Sequence, residues 1–220
     1  MLYCIIGYYW KNMSYITIEG IIGSGKSTLL SLLEQNPLFR TEYEPVHLWR
    51  NTQMEKDGEI VNINYLEQFY QNIRGNALQF QLVVANTLLD AQHKLLLDCE
   101  KETKFYVQDR SPMSGVKVFA PLTNIPFEYL YHLESLINKS KIKDPDIIVF
   151  LDCPIDIAQQ RLRKRGRGEE NGVSKEYQES LRENILKWID EEEKKGTLVI
   201  RISNSITPEE TYDYLLKKLF

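Results

Sequence analysis

A glycine-rich segment directly after a short apolar run constrains the fold of this 220-residue chain more than any other feature. Residues 20–27 follow the pattern G-x-x-x-x-G-K-[ST]; the run 15–19 before them predicts a buried strand, and residues 27–35 predict a helix. The glycines let backbone N–H groups converge on one concavity, and the helix N-terminus favours anions there. A glycine-rich turn that only caps a helix is the structural alternative. The strand–loop–helix context favours a site for a nucleoside triphosphate.

This segment predicts binding of ATP together with Mg²⁺. Lys26 would reach the β- and γ-phosphates, and the Ser27 hydroxyl would face the metal. No N-K-x-D sequence is present, which counts against a GTPase. The residues predicted to bind ATP here are Gly20, Gly23, Ser24, Gly25, Lys26, Ser27 and Thr28.

Short apolar runs alternate with longer segments of helical periodicity along the chain. Strands are predicted at 15–19, 105–108, 147–151 and 198–202. Helices are predicted at 27–35, 63–70, 78–99, 126–138, 155–165, 175–195 and 208–219. This alternation indicates an α/β fold in which helices cover both faces of a parallel sheet. No linker or repeat divides residues 14–220, which we expect to form a single domain.

Composition narrows the classes of partner and compartment. Lys and Arg number 27 against 31 Asp and Glu, a net charge of −4, which argues against a nucleic-acid or polybasic membrane binder. The cysteines (Cys4, Cys99 and Cys153) lack C-x-x-C spacing, so we expect neither disulfides nor zinc but an intracellular, cytoplasmic setting. Residues 1–13 form an apolar leader, interpreted either as an upstream start or as a flexible arm rather than a targeting segment.

Two carboxylates are interpreted as lying at strand ends, where ligands of parallel sheets bind. Pro45 biases Glu44 towards an extended backbone, from which its carboxylate could take a proton from an attacking hydroxyl. Asp109 closes a buried strand beside the phosphate loop, as a Mg²⁺-associated acid would. Arg110 would then pair with the phosphoryl acceptor and with the carboxylate of Glu44. The structural alternatives are a solvated Glu44 and a plain Asp109–Arg110 pair.

A basic segment at 161–167 stands out in an acidic chain. It contains five cations in seven positions and is interrupted by glycine. Charge runs are usually solvated faces. At a helix end, however, this one suits a lid, about 161–172, whose arginines Arg161, Arg165 and Arg167 would meet the triphosphate.

Four ordered motifs together resemble the deoxyribonucleoside kinase family. They are E-P-V at 44–46 with Trp49, F-Q at 80–81, D-R-S at 109–111 and R-L-R-K-R-G-R-G-E-E at 161–170. The resemblance extends from about residue 15 to 188. It implies a P-loop kinase fold with a five-stranded parallel sheet surrounded by helices and an Arg-rich lid. It also implies a homodimer, for which the helices at 78–99 and 126–138 are the candidate interface.

The resemblance assigns roles to individual residues. Glu44 is similar to the base that deprotonates the nucleoside 5′-hydroxyl, and Arg110 to the arginine that contacts it. Asp109 stands where the family often has Glu near Mg²⁺, which shortens the reach by one methylene; Ser27 and Asp109 are therefore the predicted metal ligands. The implied catalytic set is Lys26, Glu44, Arg110, Arg165 and Arg167.

The implied nucleoside site is larger. Tyr70 and Glu170 match a pair that holds the sugar 3′-hydroxyl, and Gln81 matches an amide that pairs with the base edge. The other residues of this predicted site are Glu44, Trp49, Val84, Leu88, Arg110, Gly115 and Phe119.

Helical spacing supports the base pocket independently. Gln81, Val84 and Leu88 share one stripe of a helix, where an unpaired buried amide is costly and a bound base would satisfy it. Purine- and deoxycytidine-type relatives have Arg where this chain has Leu88 and Asp where it has Gly115. The pocket therefore predicts thymidine and deoxycytidine over purines.

Two other functions stay open on the sequence. A thymidylate-type nucleoside monophosphate kinase shares the P-loop and a D-R motif, but would need a cationic site for the acceptor phosphate. A P-loop regulatory protein would bind nucleotide as a switch. It would not need Tyr70 and Glu170 as a pair that binds the sugar of an acceptor. Release of ADP that depends on a deoxynucleoside separates both from the predicted kinase.

Overall fold

A computed structural model describes residues 13–97, 103–168, 172–203 and 206–220. Its strands are β1 Ser14–Glu19, β2 Phe39–Glu42, β3 Thr52–Lys56, β4 Glu59–Ile63, β5 Phe105–Asp109, β6 Ile147–Asp152 and β7 Leu198–Ser203. Five of them form a parallel sheet in the order β2-β5-β1-β6-β7, whereas β3 and β4 form an antiparallel hairpin. The predicted α/β fold with a five-stranded parallel sheet is confirmed.

Helices surround this sheet. They are α1 Lys26–Leu33, α2 Val46–Arg50, α3 Tyr65–Gln71, α4 Ile73–Leu97, α5 Phe127–Ser140, α6 Ile155–Arg165, α7 Lys175–Lys195 and α8 Pro208–Leu219. A π-helical turn, Gly115–Phe119, and a 3₁₀ turn, Ala120–Leu122, follow β5. The prediction matches both ends of α7 and α8, where local capping acts: Ser174 caps α7, and Thr207 forms a capping box with Glu210.

Alternating side chains of β6 show how both faces of the sheet are buried. Ile147, Val149 and Leu151 pack with α1 and α8, whereas Ile148 and Phe150 pack with α7. Successive strand residues point to opposite faces, so a strand covered on both sides reads as a continuous apolar run. The helices thus cover both faces of the sheet and leave the carboxyl ends of its strands to carry functional groups.

The region between the first and fourth helices departs from the prediction. The helix expected at 63–70 begins at Tyr65, because residues 52–63 form the β3–β4 hairpin. Asp57 and Gly58 both have positive φ, 55° and 81°, as the two central residues of a tight hairpin turn require. Helix α4 begins at Ile73 rather than at 78, and its predicted end at Cys99 lies outside the described residues.

Within the described ranges, no helix combines the length and the apolar character needed to span a bilayer.

Candidate active site

A cavity of about 590 Å³ lies at the carboxyl ends of the central strands, between the phosphate loop and helices α2–α4. This volume suits a small-molecule site. Its lining residues are Ile22, Gly23, Gly25, Lys26, Ser27, Thr28, Tyr43, Glu44, Val46, Trp49, Leu66, Phe69, Tyr70, Phe80, Gln81, Val84, Leu88, Asp109, Arg110, Gly115, Phe119, Arg161, Arg165, Arg167 and Tyr177. Most residues that the sequence assigns to the site therefore share one cavity.

The phosphate loop packs closely against helix α6 at Gly23. Gly23 has a φ of 84°, and a Cβ there would lie 2.8 Å from the Ala158 carbonyl oxygen of α6. Only glycine tolerates both conditions. Lys26 begins α1, and its Nζ lies 3.4 Å from the carbonyl oxygens of Gly20 and Ile21. Burial, aided by the charge of Arg110, lowers the pKa of Lys26, and an anion bound here would favour its charged form.

Two residues predicted to bind ATP lie elsewhere. Gly20 and Ser24 do not line the cavity. Ser24 is fully buried, and its N–H donates to the carbonyl oxygen of Ile21 at 3.2 Å. A Cβ on Gly20 would lie 2.9 Å from the Leu151 carbonyl oxygen. Both residues thus support the loop from its core side rather than facing the cavity.

Asp109 ends β5 next to the phosphate loop and is almost fully buried. Its Oδ2 accepts a hydrogen bond from Ser27 Oγ at 3.4 Å, and its Oδ1 has no hydrogen-bond partner among the described residues. Burial raises the pKa of Asp109 to about 6, against the opposing charge of Lys26. An orphaned carboxylate oxygen beside a hydroxyl fits a divalent cation.

Arg110 joins two carboxylates. Its Nε donates to Glu44 at 2.9 Å, and its Nη1 donates to Glu19 at 3.3 Å. The guanidinium also lies 4.6 Å from the ring centroid of Phe119. Arg110 has a φ of 66°, which is costly for a side chain of this size. Because three partners hold it, this backbone strain persists and gives the guanidinium one orientation.

Glu19 is the functional neighbour that the sequence reasoning missed. It is fully buried at the end of β1, and its Oε1 accepts from Ser111 N–H at 3.2 Å and Ser114 Oγ at 2.5 Å. Burial raises the pKa of Glu19, while Arg110 opposes this shift. The sequence does place a glutamate at the end of an apolar strand, which could have indicated a functional residue. Its partners lie more than 90 residues later in the chain, so no sequence pattern indicates which groups it contacts.

The other end of the cavity is aromatic and aliphatic. Trp49, Phe80, Val84 and Leu88 are buried there and belong to one hydrophobic cluster. Trp49 is fixed by a hydrogen bond from its Nε1 to the Thr87 hydroxyl at 2.8 Å. The stripe predicted on α4 therefore faces one pocket.

Gln81 is the polar group of this pocket. It is 2% exposed, and its Oε1 has no hydrogen-bond partner in the described parts of the chain. Gly115, on the π-helical turn, lies against it: a Cβ there would come within 2.8 Å of Gln81 Oε1. The absence of a side chain at Gly115 lets the amide of Gln81 lie against this turn.

The remaining predicted residues divide by position. Tyr70 and Phe119 line the cavity, whereas Glu170 lies outside the described residues. Arg161, Arg165 and Arg167 line it near the phosphate loop, and Arg161 Nη1 donates to the Ser24 carbonyl oxygen at 3.2 Å. Lining residues that the prediction did not assign are Ile22, Tyr43, Val46, Leu66, Phe69, Phe80 and Tyr177.

A phosphate loop that shares a cavity with a buried Asp, an Arg–Glu pair and an aromatic pocket defines a P-loop phosphotransferase with a small organic acceptor. The sequence model named "Deoxynucleoside kinase" matches residues 16–219. The chain belongs to this family and is a deoxynucleoside kinase. Membership decides against a nucleoside monophosphate kinase and a regulatory nucleotide switch.

Individual relatives differ in their named substrates. The chain is 29% identical to a thymidine kinase of Ictalurid herpesvirus 1 over 92% of its own length and 84% of the relative's. It is 26% identical to the deoxyadenosine/deoxycytidine kinase of Bacillus subtilis over 81% and 77%, respectively. A solved structure of deoxyadenosine kinase from M. mycoides with bound dCTP superposes with a TM-score of 0.72 at 20% identity, covering 93% of this chain and 98% of that one.

Proposed function

We propose that the protein transfers the γ-phosphoryl group of ATP to the 5′-hydroxyl of a deoxyribonucleoside, with thymidine and deoxycytidine preferred over purine deoxynucleosides. The observation that carries a nucleoside site is the buried, unpartnered Oε1 of Gln81 beside Gly115. The preference for pyrimidines rests on the uncharged side chains of Val84 and Leu88 next to it. We place the activity in nucleotide salvage inside the cell.

The chemistry of an amide explains why both pyrimidines fit. Gln81 offers one acceptor oxygen and two N–H donors. Thymine presents an N3–H donor beside its O4 acceptor, and cytosine presents the N3 acceptor beside its N4 donor. The amide can pair with either base after a flip. Apolar Val84 and Leu88 would face the thymine 5-methyl group, and Gly115, which carries no side chain, packs against the Gln81 amide.

The reaction assigns a task to each polar residue. Glu44 takes the proton of the 5′-hydroxyl, and Arg110 holds this carboxylate in place at 2.9 Å. Lys26, Arg165 and Arg167 neutralise charge on the transferred phosphoryl group. Tyr70 and Glu170 bind the sugar 3′-hydroxyl.

Ser27 and Asp109 would hold Mg²⁺, since the orphaned Asp109 Oδ1 needs a partner. When bound, this ion neutralises charge on the β- and γ-phosphoryl oxygens. The chain's own contribution is to present the carboxylate of Asp109 and the hydroxyl of Ser27 3.4 Å apart at the start of α1.

The decisive experiment is an ADP-release assay with separate acceptors: the four deoxynucleosides and thymidine monophosphate. We expect the highest kcat/KM for thymidine or deoxycytidine and no turnover of the monophosphate. A higher kcat/KM for a purine deoxynucleoside would overturn the preference. Because pocket shape alone separates substrates by only about 1–3 kcal/mol, several acceptors should be turned over.

A homodimer is part of this proposal. Helices α4 and α5 expose large apolar side chains, including Leu82, Phe127, Tyr131 and Leu136. Apolar groups concentrated on adjacent helices favour contact with a second copy of the chain.

A further inference from the structure

Gln178 lies in the first turn of α7 and does not line the cavity, yet it contacts the phosphate loop directly. Its Nε2 donates to the Ile22 carbonyl oxygen at 2.7 Å, and its Oε1 accepts from the Ile22 N–H at 3.1 Å. The side chain is fully buried. One amide therefore satisfies both backbone groups of a single loop residue that is 156 positions away in the chain.

Other loop carbonyls are also bound by side chains. Lys26 Nζ lies 3.4 Å from the carbonyl oxygens of Gly20 and Ile21. Arg161 Nη1 lies 3.5 Å from the carbonyl oxygen of Gly23 and 3.2 Å from that of Ser24. With Gln178, these bonds occupy every carbonyl oxygen from residue 20 to residue 24. Carbonyls held in this way leave the loop free to turn N–H groups towards an anion.

The donors differ in what a bound triphosphate would do to them. Lys26 and Arg161 are cations that line the cavity, so phosphate oxygens compete for them. Gln178 is neutral and lies outside the cavity lining, so no phosphate competes for its amide. The two hydrogen bonds between Gln178 and Ile22 would therefore remain when phosphate occupies the site.

We infer that Gln178 is a positioning residue that keeps the phosphate loop in the shape that binds the ATP phosphates, acting through both backbone groups of Ile22. This inference rests on the proposed ATP site. It assigns a role in phosphate affinity to a residue of a helix that follows the predicted lid.

The chain offers a matched control for this role. Gln92 of α4 is also buried, accepts from the Ile142 N–H at 2.8 Å and donates to the Lys143 carbonyl oxygen at 3.1 Å. Its amide therefore makes the same kind of double bond to backbone, but away from the phosphate loop. Loss of either amide should destabilise the fold, and only loss of Gln178 should change phosphate binding.

The experiment compares Gln178→Leu with Gln92→Leu by calorimetric binding of ATP, tripolyphosphate and thymidine. We expect Gln178→Leu to raise the Kd of ATP and of tripolyphosphate by about tenfold, with thymidine affinity unchanged, because a lost pair of buried hydrogen bonds lets the loop relax. Gln92→Leu should lower Tm while leaving the Kd of tripolyphosphate unchanged. Gln178→Met repeats the test with a more adaptable side chain if the leucine variant does not fold.

Three outcomes would count against the inference. Unchanged phosphate affinity in a folded Gln178 variant would overturn it alone, since the ATP site would remain. An equal loss in Gln92→Leu would reduce the effect to general destabilisation and overturn it too. Wild-type protein that binds neither ATP nor tripolyphosphate would overturn the proposed ATP site together with the inference.

Discussion

The buried carboxylate of Glu19 accepts a hydrogen bond from Nη1 of Arg110 at 3.3 Å, while Nε of the same guanidinium is bonded to Glu44. Only Arg110 and Glu44 of these three line the cavity. Arg110 is therefore oriented from the core side before a substrate arrives. A group that is fixed in advance costs no reorganisation during the reaction.

Replacing Glu19 tests this support. Glu19→Gln keeps the size of the side chain and removes its charge, so Arg110 should lose its fixed orientation. We expect kcat to fall by about 10- to 100-fold with little change in the nucleoside KM, since misplacing a catalytic group costs this much. Steady-state kinetics measure both constants. Glu42→Gln, which removes a surface pair with Lys94, is the control and should leave kcat unchanged. Wild-type kcat in Glu19→Gln would contradict the role.

Glu44→Gln should abolish most turnover while nucleoside binding persists. The amide cannot take the proton of the 5′-hydroxyl, and general base catalysis contributes about 10²- to 10⁴-fold. Single-turnover kinetics together with calorimetric binding of thymidine separate these two effects. If kcat is unchanged in this variant, Glu44 is not the base.

Asp109 should make the stability of the metal-free protein depend on pH. Its pKa is raised to about 6 from 3.8, so the buried proton stabilises the fold at low pH and this contribution is lost as pH rises through 6. A shift of about two pKa units corresponds to on the order of 3 kcal/mol. Urea unfolding in EDTA should therefore show Asp109→Asn gaining stability over wild type from about pH 4 to pH 6, with little further change above pH 7. A difference that does not vary with pH would rule this out.

Gly115→Ala should weaken nucleoside binding selectively. The added Cβ would lie 2.8 Å from Gln81 Oε1 and displace the amide that is proposed to pair with the base. We expect the KM for thymidine to rise by about tenfold or more, while the Kd of ATP stays the same. An unchanged KM for thymidine in this variant would show that Gln81 does not hydrogen-bond to the nucleobase.

Tyr131→Glu should shift the protein towards monomer. Tyr131 is 61% exposed on α5, and a charge there would oppose burial against a second chain. Tyr214→Glu places the same change on α8, at a tyrosine that is 39% exposed, and should leave the mass in solution unchanged. Sedimentation equilibrium measures the mass. A monomeric wild type would refute the dimer outright.

The features that could be predicted, such as both ends of α7 and α8, depend on residues that are close together in the sequence. The hairpin turn at Asp57–Gly58 was also readable from the sequence, because both residues favour positive φ, yet the prediction placed a helix start inside the hairpin. The polar edge strand β2 left no comparable signal, since it lies at the border of the sheet and is only partly buried.

The sequence alone determined the phosphate loop, the alternation of strands and helices, and the shared stripe of Gln81, Val84 and Leu88, because each depends on neighbours within a few turns of the same chain segment. The tertiary structure alone decided that Glu19 holds Arg110 and that Gln178 holds Ile22. These partners are 91 and 156 residues apart. Hydrogen bonds over such separations depend on how strands and helices pack in space, and no local periodicity encodes them.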